Sequence, residues 1–314
     1  MTKVAFVFPG QGSQKVGMGK ELVETSDKAK HYFIEADKVL DYPLSELILD
    51  GPQEELTVTY NAQPALLTVG SLIASKLVAE GITPDYTAGH SLGEYTALVA
   101  SRVMSFEDGV SVVHKRGLYM NEAVPAGEGA MAAILGLDGE QVKQVTDVVT
   151  ANGDAVQPAN LNCPGQIVIS GTKAGVEKAC VELKAAGARR TIPLDVSGPF
   201  HSSLMKPAAE KLRETLDEVS MHEAKIPVVA NVNAAVVKDS EQLKQLLIEQ
   251  LYSPVLWEDS VRTMLSEGVT HFIECGPGKV LSGLIKKIDR TAVVLSVYDE
   301  QTLQEVIEAS KEWS

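Results

Sequence analysis

Cysteine is scarce. Cys163, Cys180 and Cys275 are too few and too widely spaced among 314 residues for a disulfide framework or a cysteine-based zinc site, and read as small buried thiols. Positive charge is also short: 28 Lys and Arg against 42 Asp and Glu leave a formal charge of −14. That balance argues against nucleic acid as a partner and repels an anionic one, unless a local basic patch receives it. Lys184, Arg189 and Arg190 form one candidate patch and Lys286, Lys287 and Arg290 another, although clustered cations are commonly just a solvated face. No apolar run approaches the length of a membrane span, and Val4 to Phe8 ends at Pro9 without a basic leader or cleavage site. The expectation is a soluble cytoplasmic protein with no membrane partner. Repeats, low-complexity runs and flexible linkers are missing too, so its parts should be rigidly apposed.

What is present is a 45% hydrophobic composition, enough for a substantial core, arranged as strands alternating with helices. Val4–Phe8 reads as a strand, Lys20 to Leu40 and Pro64 to Glu80 as helices, and Phe106 to Asn121 as another. Strand patterning resumes at Ile226–Val232 and Val269–Glu274. This alternation predicts an α/β fold built on a parallel sheet. Between about Ala130 and Val196 the order changes to strand, helix, two strands, helix, strand, the βαββαβ pattern of a ferredoxin-like unit. The expected organisation is a core of residues 1–128 and 197–314 carrying an inserted subdomain of residues 129–196. A cleft between the two is the expected place for a ligand.

Gly89-His90-Ser91-Leu92-Gly93 is the most informative stretch. Gly-x-Ser-x-Gly lets a serine occupy a turn too tight for bulky neighbours, which pushes its hydroxyl out of the backbone. Tyr86 to Ala88 before it suit a short buried strand and Glu94 to Val103 after it a helix, the context a nucleophile elbow requires. Five residues can match by chance, so the rest of the chain must decide.

A serine hydroxyl needs a base. Of six histidines, His31 and His114 fall in helices, His222 in a polar connector and His90 inside the elbow, pointing away from Ser91. His201 lies in Ser197-Gly198-Pro199-Phe200-His201-Ser202-Ser203, irregular backbone at the expected cleft edge, and is favoured over His271. Asp195 or a main-chain carbonyl could orient its imidazole. The amides of Leu92 and Gln11 are candidate donors to a developing oxyanion, although Pro9–Gln14 also reads as an ordinary glycine-rich turn. Arg116, toward the end of an amphipathic helix and before Gly117, either caps that helix in solvent or projects into the cleft. In the cleft its planar fork would suit a carboxylate, making the acyl group a dicarboxylic half-ester.

With Pro9-Gly10-Gln11-Gly12-Ser13-Gln14, Gly89 to Tyr95, Lys115-Arg116-Gly117 and Gly198 to Ser202 in one ordered series, the chain resembles the bacterial malonyl-CoA:acyl-carrier-protein transacylases. The likeness continues through Asn61 to Ala65, Ala159 to Gln166, Gln250 to Val255 and Glu274 to Gly278. It implies a hydrolase-like core carrying the ferredoxin-like insert, with Ser91 and His201 as the catalytic pair. It also implies that Arg116 pairs with the malonyl carboxylate, Gln11 and Leu92 supply oxyanion-hole amides, and a main-chain carbonyl near Gln250 orients the histidine. Asn160 and Asn162 look like lining residues. Phe200 departs from many free-standing members, which carry serine there, and its bulk favours malonyl over methylmalonyl.

The implied reaction moves malonyl from malonyl-CoA through a malonyl-serine ester to the phosphopantetheine thiol of acyl carrier protein, in fatty acid biosynthesis. It needs no metal or redox cofactor. The carrier is acidic, so the basic residues near Lys286 or Arg190 are its candidate docking surface. The rivals are a serine thioesterase or esterase and a non-catalytic acyl-sensing scaffold.

Overall fold

A computed structural model describes residues 2–313 and contains, among them, ten strands: β1 (Val4–Phe8), β2 (Tyr86–Gly89), β3 (Gly129–Leu135), β4 (Val156–Cys163), β5 (Gln166–Thr172), β6 (Arg190–Pro193), β7 (Val228–Val229), β8 (Val236–Val237), β9 (His271–Cys275) and β10 (Val293–Val297). They form two sheets. The larger has the order β10-β9-β1-β2-β7-β8 and is parallel except for the β7–β8 pair. The smaller, order β4-β5-β3-β6, is antiparallel and drawn from residues 129–193. This is the α/β fold with a βαββαβ insert that the sequence predicts.

The β1 strand shows why the large sheet is covered on both sides. All five of its residues are buried, as expected of a central parallel strand. Val4, Phe6 and Phe8 join one hydrophobic cluster with Leu66, Leu67 and Leu98, while Ala5 and Val7 join another with Trp257, Val261 and Phe272. Alternation of side chains along the strand thus feeds two cores, one beneath each helix layer. The insert has a third cluster of its own, in which helices Gly139–Ala151 and Lys173–Ala185 cover its sheet.

Two helices differ from the sequence reading. The stretch 20–40 is broken, because Ser26 is extended and its hydroxyl caps Asp27–Leu40 by accepting from the Ala29 amide. The helix expected from Pro64 begins earlier, at Thr59, and Pro64 lies inside it. Proline cannot donate to the Tyr60 carbonyl; His114 Nδ1 contacts that carbonyl instead at 2.8 Å. This helix, Thr59–Ala79, is long and apolar enough to cross a membrane, but 78% of its apolar window is buried inside the protein. Gln63, Thr68, Gly70 and Ser71 interrupt it, which is why no continuous apolar run marks it. Helix Phe106–Glu122 matches the reading to within one residue and runs on past Gly117, where the absence of a Cβ permits contact: one built there would sit 2.5 Å from Tyr60 Cα.

Candidate active site

The elbow forms at the end of β2. Phe8 of β1 is in register with Gly89, and the His90 amide donates to the Phe8 carbonyl at 3.0 Å, which brings the loop after β1 beside the turn. A Cβ on Gly89 would meet the Gly93 carbonyl carbon at 1.9 Å, so a larger residue cannot make this turn. Ser91 itself has φ 52° and ψ −107°, a strained conformation for a residue with a side chain. Two side chains hold it there. The Ser91 amide donates to Asn231 Oδ1 at 2.8 Å, and Gln250 Nε2 donates to the Ser91 carbonyl at 3.0 Å. Asn231 also reaches back to the Gly89 carbonyl at 2.7 Å.

His201 arrives from the loop after the insert, likewise at positive φ (57°). Its Nε2 is 2.8 Å from Ser91 Oγ, and its Nδ1 is 2.7 Å from the main-chain oxygen of Gln250. A carbonyl accepts only, so Nδ1 carries the proton and Nε2 is left with a lone pair toward the hydroxyl. The residue is 3% exposed. Burial first, and the positive charge of Arg116 second, lower its pKa from 6.5 to about 3, which keeps the imidazole neutral. Asp195, the alternative orienting group, is exposed at the cleft edge. Gln157 of β4 secures the loop, its Nε2 donating to the His201 carbonyl and its Oε1 accepting from the Ser203 amide.

Arg116 projects inward and is 1% exposed. It donates to Gln63 Oε1 at 2.7 Å, Gln250 Oε1 at 2.8 Å and Ser91 Oγ at 3.2 Å, with its guanidinium carbon 5.2 Å from the centre of the Tyr95 ring. Its Nε finds no acceptor. None of these partners is anionic, so a buried cation faces the serine with donor capacity to spare. Such an arrangement has the chemistry to receive a carboxylate.

The remaining sequence candidates gather around the same space. A cleft of about 200 Å³ is lined by Gln11, Leu92, Asn160 and Phe200 together with Ser91 and His201. Leu92 opens helix Leu92–Ala100, whose N-terminal amides favour negative charge. Neither the Leu92 nor the Gln11 amide has a hydrogen-bond acceptor among the described residues. Asn160 lies on β4, bridged to Val255 of the core. Asn162, two residues on, turns instead to His90, with Oδ1 2.8 Å from its Nε2, so it ties the insert to the elbow. Among the described residues no group of three or more His, Cys, Asp or Glu side chains could hold a metal ion.

Sequence reasoning missed four contributors: Asn231, Gln63, Gln157 and Glu94, together with the side-chain role of Gln250. Glu94 is 1% exposed, accepts from Gln250 Nε2 at 2.7 Å and from the Asn231 amide at 3.3 Å, and burial raises its pKa from 4.5 to about 7 against those bonds. Its signal was its place directly after the elbow glycine, where a charged residue enters an otherwise apolar helix. For Asn231 the signal was a polar residue ending a buried strand. Gln63, before Pro64, had none beyond its place in the Asn61 to Ala65 stretch of the family likeness.

Known proteins share this arrangement of elements. The acyl transferase domain family matches the chain from residue 5 to residue 301. The malonyl CoA-acyl carrier protein transacylase of Bacillus subtilis (strain 168) is 60% identical over 312 residues, 99% of this chain and 98% of that protein. The crystal structure of an acyl carrier protein S-malonyltransferase from Vibrio cholerae is 47% identical with a TM-score of 0.95, covering 97% of this chain and 100% of the other. A malonyl-transacylase solved in complex with its type II polyketide synthase acyl-carrier protein is 43% identical with a TM-score of 0.95, covering 98% and 100%.

Proposed function

This chain belongs to the acyl transferase family, and on that premise we propose that it transfers malonyl from malonyl-CoA to the phosphopantetheine thiol of acyl carrier protein. Ser91 is the nucleophile and His201 the base. As Ser91 Oγ attacks the thioester carbonyl, its proton passes to His201 Nε2 across the 2.8 Å contact, and the Leu92 and Gln11 amides receive the negative oxygen. The tetrahedral adduct collapses, the C–S bond breaks, and His201 returns its proton to the departing CoA sulfur. The carrier thiol then gives its proton to His201 and attacks the malonyl-serine ester, and collapse returns the proton to Ser91 Oγ. Every step uses side chains and main chain only, and none is routed through a metal or redox group.

The observation that carries this reading is that one hydroxyl, Ser91 Oγ, lies 2.8 Å from a neutral imidazole and 3.2 Å from a buried guanidinium. The first pairing supports acyl-enzyme chemistry. The second supports an acyl group with a free carboxylate, for which a thioesterase of neutral esters has no use, and a non-catalytic scaffold needs neither. Phe200, 7% exposed in the cleft wall, narrows the space available to a branched chain. The carrier's acidic surface meets the basic residues around Lys287, whose ammonium spans from the core to Gln166 of the insert and so sits astride both halves. Cytoplasmic fatty acid synthesis is the setting this substrate pair implies.

The test supplies malonyl-CoA with and without holo acyl carrier protein and follows malonyl-carrier and free malonate together. Rapid malonyl-carrier formation that suppresses malonate release supports transfer. Malonate release at the same rate with or without carrier would instead identify a hydrolase.

A further inference from the structure

Gln250 closes helix Ser240–Gln250, is fully buried, and is used twice by the site. Its main-chain oxygen accepts from His201, and its side-chain oxygen accepts from Arg116. The second use depends on which way round the amide sits, because an inverted amide would turn its N–H groups against the guanidinium's own. The surroundings decide the orientation. Gln250 Nε2 faces acceptors only: Glu94 Oε2 at 2.7 Å, the Ser91 carbonyl at 3.0 Å and Asn231 Oδ1 at 3.3 Å. Glu94 is the nearest of these and the only ionisable one, and inversion would set the amide oxygen against its carboxyl oxygen. The other carboxylate oxygen, Oε1, is buried without a partner, and burial makes ionisation of the group unfavourable. All its contacts fall on Oε2: the shorter comes from Gln250 Nε2 at 2.7 Å and a longer one from the Asn231 amide at 3.3 Å.

We propose that Glu94 is a positioning residue for acyl-group selection: by fixing the Gln250 amide it holds Gln250 Oε1 against Arg116 and so aims the guanidinium at the free carboxylate of the incoming acyl group. The inference rests on the malonyl-transfer reading. It assigns Glu94 no contact with substrate and no proton transfer. What matters is an acceptor oxygen at the right distance from Gln250 Nε2, not the negative charge.

Two substitutions separate these properties. Glu94→Gln keeps the acceptor and loses the charge; Glu94→Asp keeps the charge and withdraws the acceptor by one methylene. The readout is the ratio of kcat/KM for malonyl-CoA to that for acetyl-CoA, each with holo carrier protein. A partly unfolded population lowers both values in proportion and leaves the ratio unmoved. Glu94→Asp should lower the ratio about tenfold through KM for malonyl-CoA, while Glu94→Gln should hold it within about threefold. Gln250→Met, which retains the main-chain oxygen, should lower it similarly, and adding Glu94→Asp should lower it no further. The inference is overturned if the Gln variant loses the ratio, if the Asp variant keeps it, or if the losses from Glu94→Asp and Gln250→Met add. A wild-type protein that shows no preference for malonyl-CoA would overturn the underlying function itself, a distinguishable result.

Discussion

Replacing Arg116 with alanine removes a buried cation and leaves two buried acceptors, Gln63 Oε1 and Gln250 Oε1, without the donor they share. An orphaned buried acceptor costs about 1–3 kcal/mol, so roughly 2–6 kcal/mol of stability is at stake. Relief of the guanidinium's own desolvation offsets part of this and places the loss toward the low end. Catalysis should change more selectively. Truncating one partner of a buried charged pair costs about 2–5 kcal/mol, which predicts that kcat/KM for malonyl-CoA falls about 30- to 4,000-fold. Acetyl-CoA has no carboxylate to lose. It forgoes only the 3.2 Å bond from Arg116 to Ser91 Oγ, worth about 1 kcal/mol, or roughly fivefold. Arg116→Lys should fall between, since an ammonium keeps the charge but cannot fork to two acceptors and a carboxylate. The assay is CoA release at subsaturating malonyl-CoA and acetyl-CoA, taken as a ratio so that any unfolded fraction cancels. Equal losses for both substrates would refute the assignment of Arg116 to the acyl carboxylate.

Ser91→Ala and His201→Ala should each lower kcat by several orders of magnitude, about 10⁶-fold by analogy with the serine enzyme in which such losses are best measured, and the double variant should be little worse than either. Full activity in either would dissolve the pair. Phe200→Ser should raise transfer from methylmalonyl-CoA relative to malonyl-CoA, and an unchanged ratio would show that the ring does not set that limit. Glu94→Gln should change the pH dependence of stability: the native carboxyl keeps its proton to about pH 7 while the unfolded chain releases it near pH 4.5, so wild-type stability falls as pH rises across that window. The variant lacks this loss, and its advantage in Tm should open between those pH values, level off above them, and correspond to something on the order of 3 kcal/mol. A gap independent of pH would show that Glu94 titrates normally.

Local physics made part of this site legible. The Gly-x-Ser-x-Gly turn announces itself because no other residue type fits where Gly89 meets Gly93, and the strand and helix that flank it follow from burial patterning. The βαββαβ insert was equally readable, since β3 and β5 stand out as short apolar runs and the two helices of the insert carry an amphipathic pattern. Contacts across the chain were not. Nothing near Asn231 indicates that it will hold the Ser91 amide 140 residues away, or that Gln250 will serve His201 with its backbone and Arg116 with its side chain. Pro64 misled for a related reason: a helix interior admits it only because His114, from a different helix, contacts the carbonyl it leaves unpaired. The strand read at Ile226–Val232 shrinks to Val228–Val229, because it lies toward the sheet's far edge and pairs only briefly before the chain turns back.

The most direct test of the central claim is intact-mass analysis of the protein after brief mixing with malonyl-CoA in the absence of carrier, followed by digestion to locate any adduct. The account predicts one malonyl group per chain, an ester on Ser91 that holo acyl carrier protein removes, and none on the Ser91→Ala variant. An adduct on another residue, or an unmodified wild-type protein that nonetheless transfers malonyl to the carrier, would contradict it.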